Sequence, residues 1–208
     1  MLETSARRLA CGATAVLLAT LFTTGCSKDE TTAPPKPSPT PLASLNTTAM
    51  QIPRIEFCKL VPRSAVTGAL GADPDSSASY SNGDDVAVPG VGKEVVHETG
   101  CSWSTDAGAV ARAWVFARPV DAAFARKAIA SSRETPGCRV ARGSSYGDPS
   151  VTQTCRQPGG SARVRHAGLF GQTWLTCEVT DPAGGVPAVR ARADSWCVEV
   201  LNALNTGG

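Results

Sequence analysis

Gly143-Ser144-Ser145-Tyr146-Gly147 fits Gly-x-Ser-x-Gly, the pattern that sets a nucleophilic serine on a sharp turn between a strand and a helix. That chemistry needs a strand before the serine, a helix directly after it and a histidine within reach as base. Here Asp148-Pro149 follows and breaks any helix, and the chain holds two histidines, His97 and His166. His166 sits in a strand-like run beside Arg163 and Arg165, where a lone histidine is a structural or surface residue. The motif therefore reads as a glycine-rich loop, and a hydrolase is the least favoured function. Asp73, Asp75, Asp84 and Asp85 raise the question of calcium, but their spacing fails the EF-hand loop at its third and glycine positions. A solvated acidic loop accounts for them. The cysteines and histidines lack zinc-site spacing. No catalytic residue, metal ligand or cofactor is expected, and the chain is not expected to be an enzyme.

The cysteines carry more chemistry. Arg7 and Arg8 precede an apolar run from Leu9 to Phe22, about 14 residues against the roughly 18–20 that a membrane span needs. Leu21-Phe22-Thr23-Thr24-Gly25-Cys26 then ends it, and Ser27-Lys28-Asp29-Glu30 turns polar at once. The hexamer resembles the lipobox of bacterial lipoproteins, in which the cysteine is acylated and becomes the new N-terminus. It departs from that pattern at Thr23, where leucine is usual, and Thr23 with Gly25 also suits ordinary signal peptidase. Cysteine parity favours lipidation. Seven cysteines lie beyond the signal, and an exported chain with an odd number carries a leftover thiol. With Cys26 lipidated, six remain to pair. Two acyl chains anchor stably where one binds reversibly. The expected location is the outer face of the cytoplasmic membrane, anchored through Cys26; without lipidation the chain would be secreted.

Removing residues 1–25, which contain Arg7, Arg8 and Glu3, takes 20 basic and 18 acidic residues to 18 and 17. A nearly neutral chain excludes an electrostatic nucleic-acid binder, which needs a marked basic patch. Residues 26–56 read as a lipidated N-terminus and disordered tether. Its Ala33-Pro34-Pro35-Lys36-Pro37-Ser38-Pro39-Thr40-Pro41 core favours extended polyproline conformation. Residues 57–208 are expected to form one extracytoplasmic domain.

The elements that would position any site follow in order. Pro62 and Gly71 bracket a short helix. Ala72 to about Val96, rich in Ser, Gly and Asp, reads as a long loop. Strands are predicted over Glu98–Thr105 and Val110–Arg118, and Asp121 caps a helix that Pro136-Gly137 stop. Further strands fall near Arg139, at Val151–Arg156, Ala162–Ala167 and Gln172–Thr180, before a last helix from Val186 to Asn205. This order predicts an α+β fold, an antiparallel sheet with helices packed on one face and stapled by disulfides. An approximate duplication into two similar halves is compatible with it.

Six cysteines allow fifteen pairings. Period-two alternation puts Thr173, Leu175, Cys177 and Val179 on one face and Gln172, Trp174, Thr176 and Glu178 on the other. Cys177 thus points toward the last helix, where Cys197 lies beside the apolar stripe. Cys138 and Cys155 flank a turn-rich segment, leaving Cys58 with Cys101. The favoured pairs are Cys58–Cys101, Cys138–Cys155 and Cys177–Cys197.

Cys58-Lys59-Leu60-Val61-Pro62, then Ala65-Val66 and Ala69-Leu70-Gly71, then Cys101-Ser102-Trp103, resemble the actinobacterial lipoproteins of the domain of unknown function 3558 family. The resemblance covers Cys58 to the C-terminus. It implies an actinobacterial envelope lipoprotein and brings no activity or catalytic residue with it.

One pattern exceeds background. In Val110–Arg118, Ala111, Ala113, Val115 and Ala117 form a small-residue face suited to helix packing, while Arg112, Trp114, Phe116 and Arg118 point the other way. Trp174, Arg163 and Arg165 are expected to join them on the uncovered side. Aromatics flanked by arginines suit an amphiphilic anionic or other envelope ligand, or a protein partner. The expected function is an envelope binding module; a structural or stress-related envelope protein with no ligand is the alternative.

Overall fold

Alternation and capping act where the sequence indicates. The computed structural model describes residues 40–88, 92–141, 144–156 and 158–206. The chain divides into Met1–Pro37 and Ser38–Gly208. The expected signal segment, Cys26 and the expected tether up to residue 39 lie outside the described residues. Pro62, in extended conformation, opens α1 (Arg63–Leu70), and Gly71 closes it in the left-handed region, its N–H bonded to the Thr67 carbonyl. Asp121 accepts the Phe124 N–H at 2.7 Å and starts α2 (Ala122–Arg133). The last helix, α3, spans Val186–Thr206.

Among the described residues nine strands complete the fold: β1 (Ser76–Tyr80), β2 (Asp85–Val88), β3 (Gly92–Val95), β4 (Glu98–Ser104), β5 (Val110–Phe116), β6 (Cys138–Val140), β7 (Ser150–Arg156), β8 (Ala162–Phe170) and β9 (Thr173–Asp181). Seven form one antiparallel sheet in the order β1-β4-β5-β9-β8-β7-β6, and β2 pairs with β3 as a separate hairpin. The α+β antiparallel architecture is the expected one.

Three expectations need correction. The stretch Ala72–Val96 is not a loop: it supplies edge strand β1 and the β2–β3 hairpin. Ser76-Ser77-Ala78-Ser79-Tyr80 is mostly exposed on both faces, so its ladder to β4 holds it in place and no hydrophobic alternation betrays it. Next, the C-terminal part of the tether folds onto the domain. Leu42 and Ile52 are buried in the core, with Leu45, Met50 and Ile55 packed beside them. Thr47 donates to the Ser145 carbonyl at 2.7 Å, and Thr173 donates to the Ile52 carbonyl at 2.6 Å. The proline run ends at Pro41, and the apolar residues beyond it have surface to bury.

Finally, the helices do not share one face. α1 and α3 cover the side bearing Ala111, Ala113, Val115, Leu175, Cys177 and Val179. α2 packs on the other side, over Val151, Ala167, Leu169 and Trp174. Phe124, Ala125, Ala128 and Ile129 make its apolar stripe, which those residues bury. The halves are each a meander ended by a helix, but those helices lie on opposite faces of the sheet.

The main core lies under α3, where Val189, Ala193, Trp196, Cys197, Val200, Leu201 and Leu204 are all buried. Each fully buried aliphatic side chain there stabilises by roughly 1.5–3 kcal/mol. Disulfides join Cys58–Cys101, Cys138–Cys155 and Cys177–Cys197, the three expected pairs, of which alternation bears only on the last. Each such bridge contributes about 2–4 kcal/mol, largely by restricting the unfolded chain. No helix among the described residues is long and apolar enough to cross a membrane.

Candidate functional site

Strand β5 alternates as its sequence requires, with Ala111, Ala113 and Val115 fully buried and Arg112, Trp114 and Phe116 half-buried on the opposite side. Register carries the pattern across the sheet. Trp114 lies opposite Gly100 of β4 and Thr176 of β9. One step along, Arg112 faces Glu178, which faces Arg165 of β8 in turn. An Arg–Glu–Arg row therefore crosses three adjacent strands beside the indole.

Glu178 is the fixed point of that row. Its side chain is 5% exposed, with Arg165 Nε 2.8 Å from Oε2 and Arg112 Nη1 3.7 Å from Oε1. A buried carboxylate is tolerated because it is paired and hydrogen-bonded. The same guanidiniums flank Trp114, with Arg112 Cζ 5.4 Å and Arg165 Cζ 5.3 Å from its ring centre. Both are within cation–π range. Counted alone, the row sets two cations against one buried anion and carries surplus positive charge, which the Glu98 carboxylate beside it offsets in part.

Tyr80 and Glu98 border the indole on the β1 side. The Tyr80 hydroxyl donates to Glu98 Oε1 at 2.9 Å. Burial raises the Glu98 carboxyl above its usual range, although the Tyr80 hydroxyl, Arg112 and Arg165 pull it down. Burial and the Glu98 charge push the Tyr80 phenol well above its ordinary value, so it stays a neutral donor. Gly100 makes this close approach feasible: a Cβ there would meet the Tyr80 hydroxyl at 2.6 Å and the Trp114 Cβ at 2.7 Å.

The structure divides the predicted set of seven. Arg112, Trp114 and Arg165 come together on the part of the sheet that α2 leaves uncovered. Trp174 shares their face but is 4% exposed beneath α2, so it belongs to the packing and not to an open surface. Phe116 packs edge-on against Phe124 at 5.7 Å, and Arg118 lies over that same ring at 5.9 Å. Arg163 turns toward the Cys138–Cys155 bridge, with Nη2 3.1 Å from Cys155 Sγ. Its burial lowers the guanidinium pKa, against the pull of Glu178. The split comes from α2, whose position on this face alternation cannot reveal. Sequence reasoning missed Tyr80, Glu98 and Glu178 as partners. Glu178 shares Trp174's alternation, but its place between two arginines depends on strand register.

His166 is buried, with Nδ1 2.9 Å from Thr152 Oγ1 and Nε2 2.8 Å from Asp194 Oδ1. Ser145 is exposed, and its carbonyl receives the Thr47 hydroxyl. The segment leads into β7 without a helix. Gly143 lies outside the described residues. Asp73 accepts from the Thr67 hydroxyl, Asp75 from the Asp106 N–H and Asp84 from the Ser81 N–H. Among the described residues no three His, Cys, Asp or Glu side chains gather as a metal site.

No family model matches this chain, and no curated protein does. Among solved structures it is similar to the extracellular domain of PknH from Mycobacterium tuberculosis, with TM-score 0.48 and 12% identity over 76% of this chain and 99% of that chain.

Proposed function

We propose that this chain is an extracytoplasmic binding module, lipid-anchored at Cys26, that receives an amphiphilic anionic envelope ligand on Arg112, Trp114 and Arg165. The carrying observation is a half-buried indole between two guanidiniums on a sheet surface that α2 leaves open. Trp114 offers apolar area for an acyl or ring portion, and the surplus positive charge suits an acidic group. Three disulfides fit an oxidising compartment outside the cytoplasm. The signal-like N-terminus and the odd number of exported cysteines support the anchor. Kinship with the lipoproteins of domain of unknown function 3558 belongs to the same proposal.

The test is calorimetric titration of the purified full chain with dodecyl phosphate below its micelle concentration, and with dodecyl maltoside as the uncharged control. Saturable binding of the phosphate is expected, weakened about tenfold in Trp114→Ala and in Arg112→Met, as the loss of one desolvated cation–π or charge contact predicts. Equal binding by wild type and both variants, or none at all, rejects this face and favours a structural envelope role.

A further inference from the structure

Arg163 belongs to the predicted arginine set, yet its contacts are with sulfur and not with a carboxylate. It lies opposite Cys155 across β7 and β8, and Cys155 lies opposite Cys138 across β6 and β7. Its Nη2 is 3.1 Å from Cys155 Sγ and 3.7 Å from Cys138 Sγ, and its buried Nε has no hydrogen-bond partner. A fixed cation beside sulfur favours thiolate over thiol.

The two cysteines differ in access. Cys155 is 1% exposed, whereas Cys138 is half-buried on a three-residue strand at the end of the sheet. Cys138 also lines two open clefts. One, of about 790 Å³, includes Ile129, Arg133 and Ser144; the other, of about 730 Å³, includes Pro136, Arg156, Arg163 and also Cys155, so Cys138 borders both and Cys155 one. Cys177 and Cys197 are both fully buried under α3. Cys58–Cys101 also joins a half-buried cysteine to a buried one, so access alone does not set it apart, and the arginine does. No arginine contact comparable to Arg163 is seen at either bridge among the described residues.

We propose that Cys138–Cys155 is a thiol–disulfide exchange site, with Cys138 the sulfur attacked and Cys155 the leaving thiolate held on Arg163. A thiolate of an external dithiol attacks Cys138 Sγ and forms a mixed disulfide. The Cys138–Cys155 bond breaks, and its electron pair goes to Cys155 Sγ, 3.1 Å from the guanidinium. The second thiolate of the dithiol then attacks its own sulfur in the mixed disulfide. That closes the reductant's disulfide and releases Cys138 as a thiolate, which takes a proton from solvent. Two electrons pass from the dithiol to the protein bridge. Reduction removes the covalent tie between β6 and β7 and leaves the ladder and turn bonds to hold that edge. The proposal is independent of ligand binding at Trp114.

The test treats the oxidised full chain with limiting dithiothreitol and maps thiols over time by alkylation and mass spectrometry. Cys138 and Cys155 should label together and first, about tenfold faster than the other four, since exchange rates follow access and leaving-thiolate stability. Arg163→Met should slow that opening by about threefold to tenfold while leaving the other two bridges unchanged, and Arg163→Lys should restore most of the rate. A second measurement does not depend on those variants. In Cys138→Ser, the Cys155 thiol should titrate below the ordinary cysteine value of about 8.5, read by thiolate absorbance. Opening of Cys58–Cys101 before Cys138–Cys155, or a Cys155 thiol titrating at or above the ordinary value, overturns the proposal.

Discussion

Glu178→Gln perturbs the candidate face at its fixed point without changing side-chain volume. The carboxylate is 5% exposed and accepts a 2.8 Å charge-assisted bond from Arg165. Such bonds contribute about 1.5–3 kcal/mol and a neutral amide bond about 1 kcal/mol, so the exchange costs roughly 1–2 kcal/mol. The Arg112 pair is longer, at 3.7 Å, and the Arg112 side chain is 43% exposed, so solvent screening limits its share to well under about 1 kcal/mol. Lost neutralisation also leaves Arg112 and Arg165 to repel across Trp114, again in a screened setting. The total is about 2 kcal/mol, or about 4–8 °C in Tm for a domain of this size. Urea unfolding at low and high salt reads both parts: the repulsive part should shrink with salt, and the hydrogen-bond part should not. Arg112→Met in the Glu178→Gln background should recover some stability. A Glu178→Gln protein within about 0.5 kcal/mol of wild type at both salt levels would refute the claim that this carboxylate organises the row.

Further outcomes follow from the same geometry. Trp174→Ala should lose about 3–5 kcal/mol in chemical unfolding because it empties the core beneath α2, whereas Trp114→Ala should lose about 1 kcal/mol; equal losses would contradict the assignment of one to packing and the other to the open surface. Glu98→Gln should raise stability at neutral pH. Burial raises the folded Glu98 pKa above its unfolded value, so the wild-type protein holds the related stability below the unfolded pKa and loses it as pH rises through the folded one. The variant's advantage in Tm should therefore vanish near pH 4, and an advantage that grew on acidification would reverse the sign. Cys26→Ser should release the protein into the medium or leave it unprocessed; a mature-sized variant still in the membrane fraction would exclude the lipid anchor.

Much of the fold was legible because single residues carry local physics. Pro62 and Gly71 bracket α1, Asp121 caps α2, and β5 alternates alanine with arginine and aromatic residues. The same alternation placed Cys177 toward α3 and left Trp114 on the opposite side. What stayed hidden depends on the partner each segment meets. β1 is a run of small polar residues held by its ladder to β4, so hydrophobicity does not mark it. Leu42 and Ile52 read as tether because proline dominates the sequence before them, yet each finds a core to enter. The Arg112–Glu178–Arg165 row needs the register of three strands, which no period within one strand encodes. α2 is amphipathic on either side of a sheet, and its choice of side removed Trp174 from the surface.

The most direct measurement of the proposed binding face is the set of indole N–H signals in the 15N spectrum of the labelled chain, recorded while dodecyl phosphate is added. The chain has four tryptophans, so each reports a separate place. Trp174 lies beneath α2, while Trp103 and Trp196 meet at 5.4 Å on the α3 side. The binding account predicts that the Trp114 signal shifts most, saturably and at the same midpoint as the calorimetric titration. A Trp114 signal that stays fixed, whether the others move or not, would contradict it.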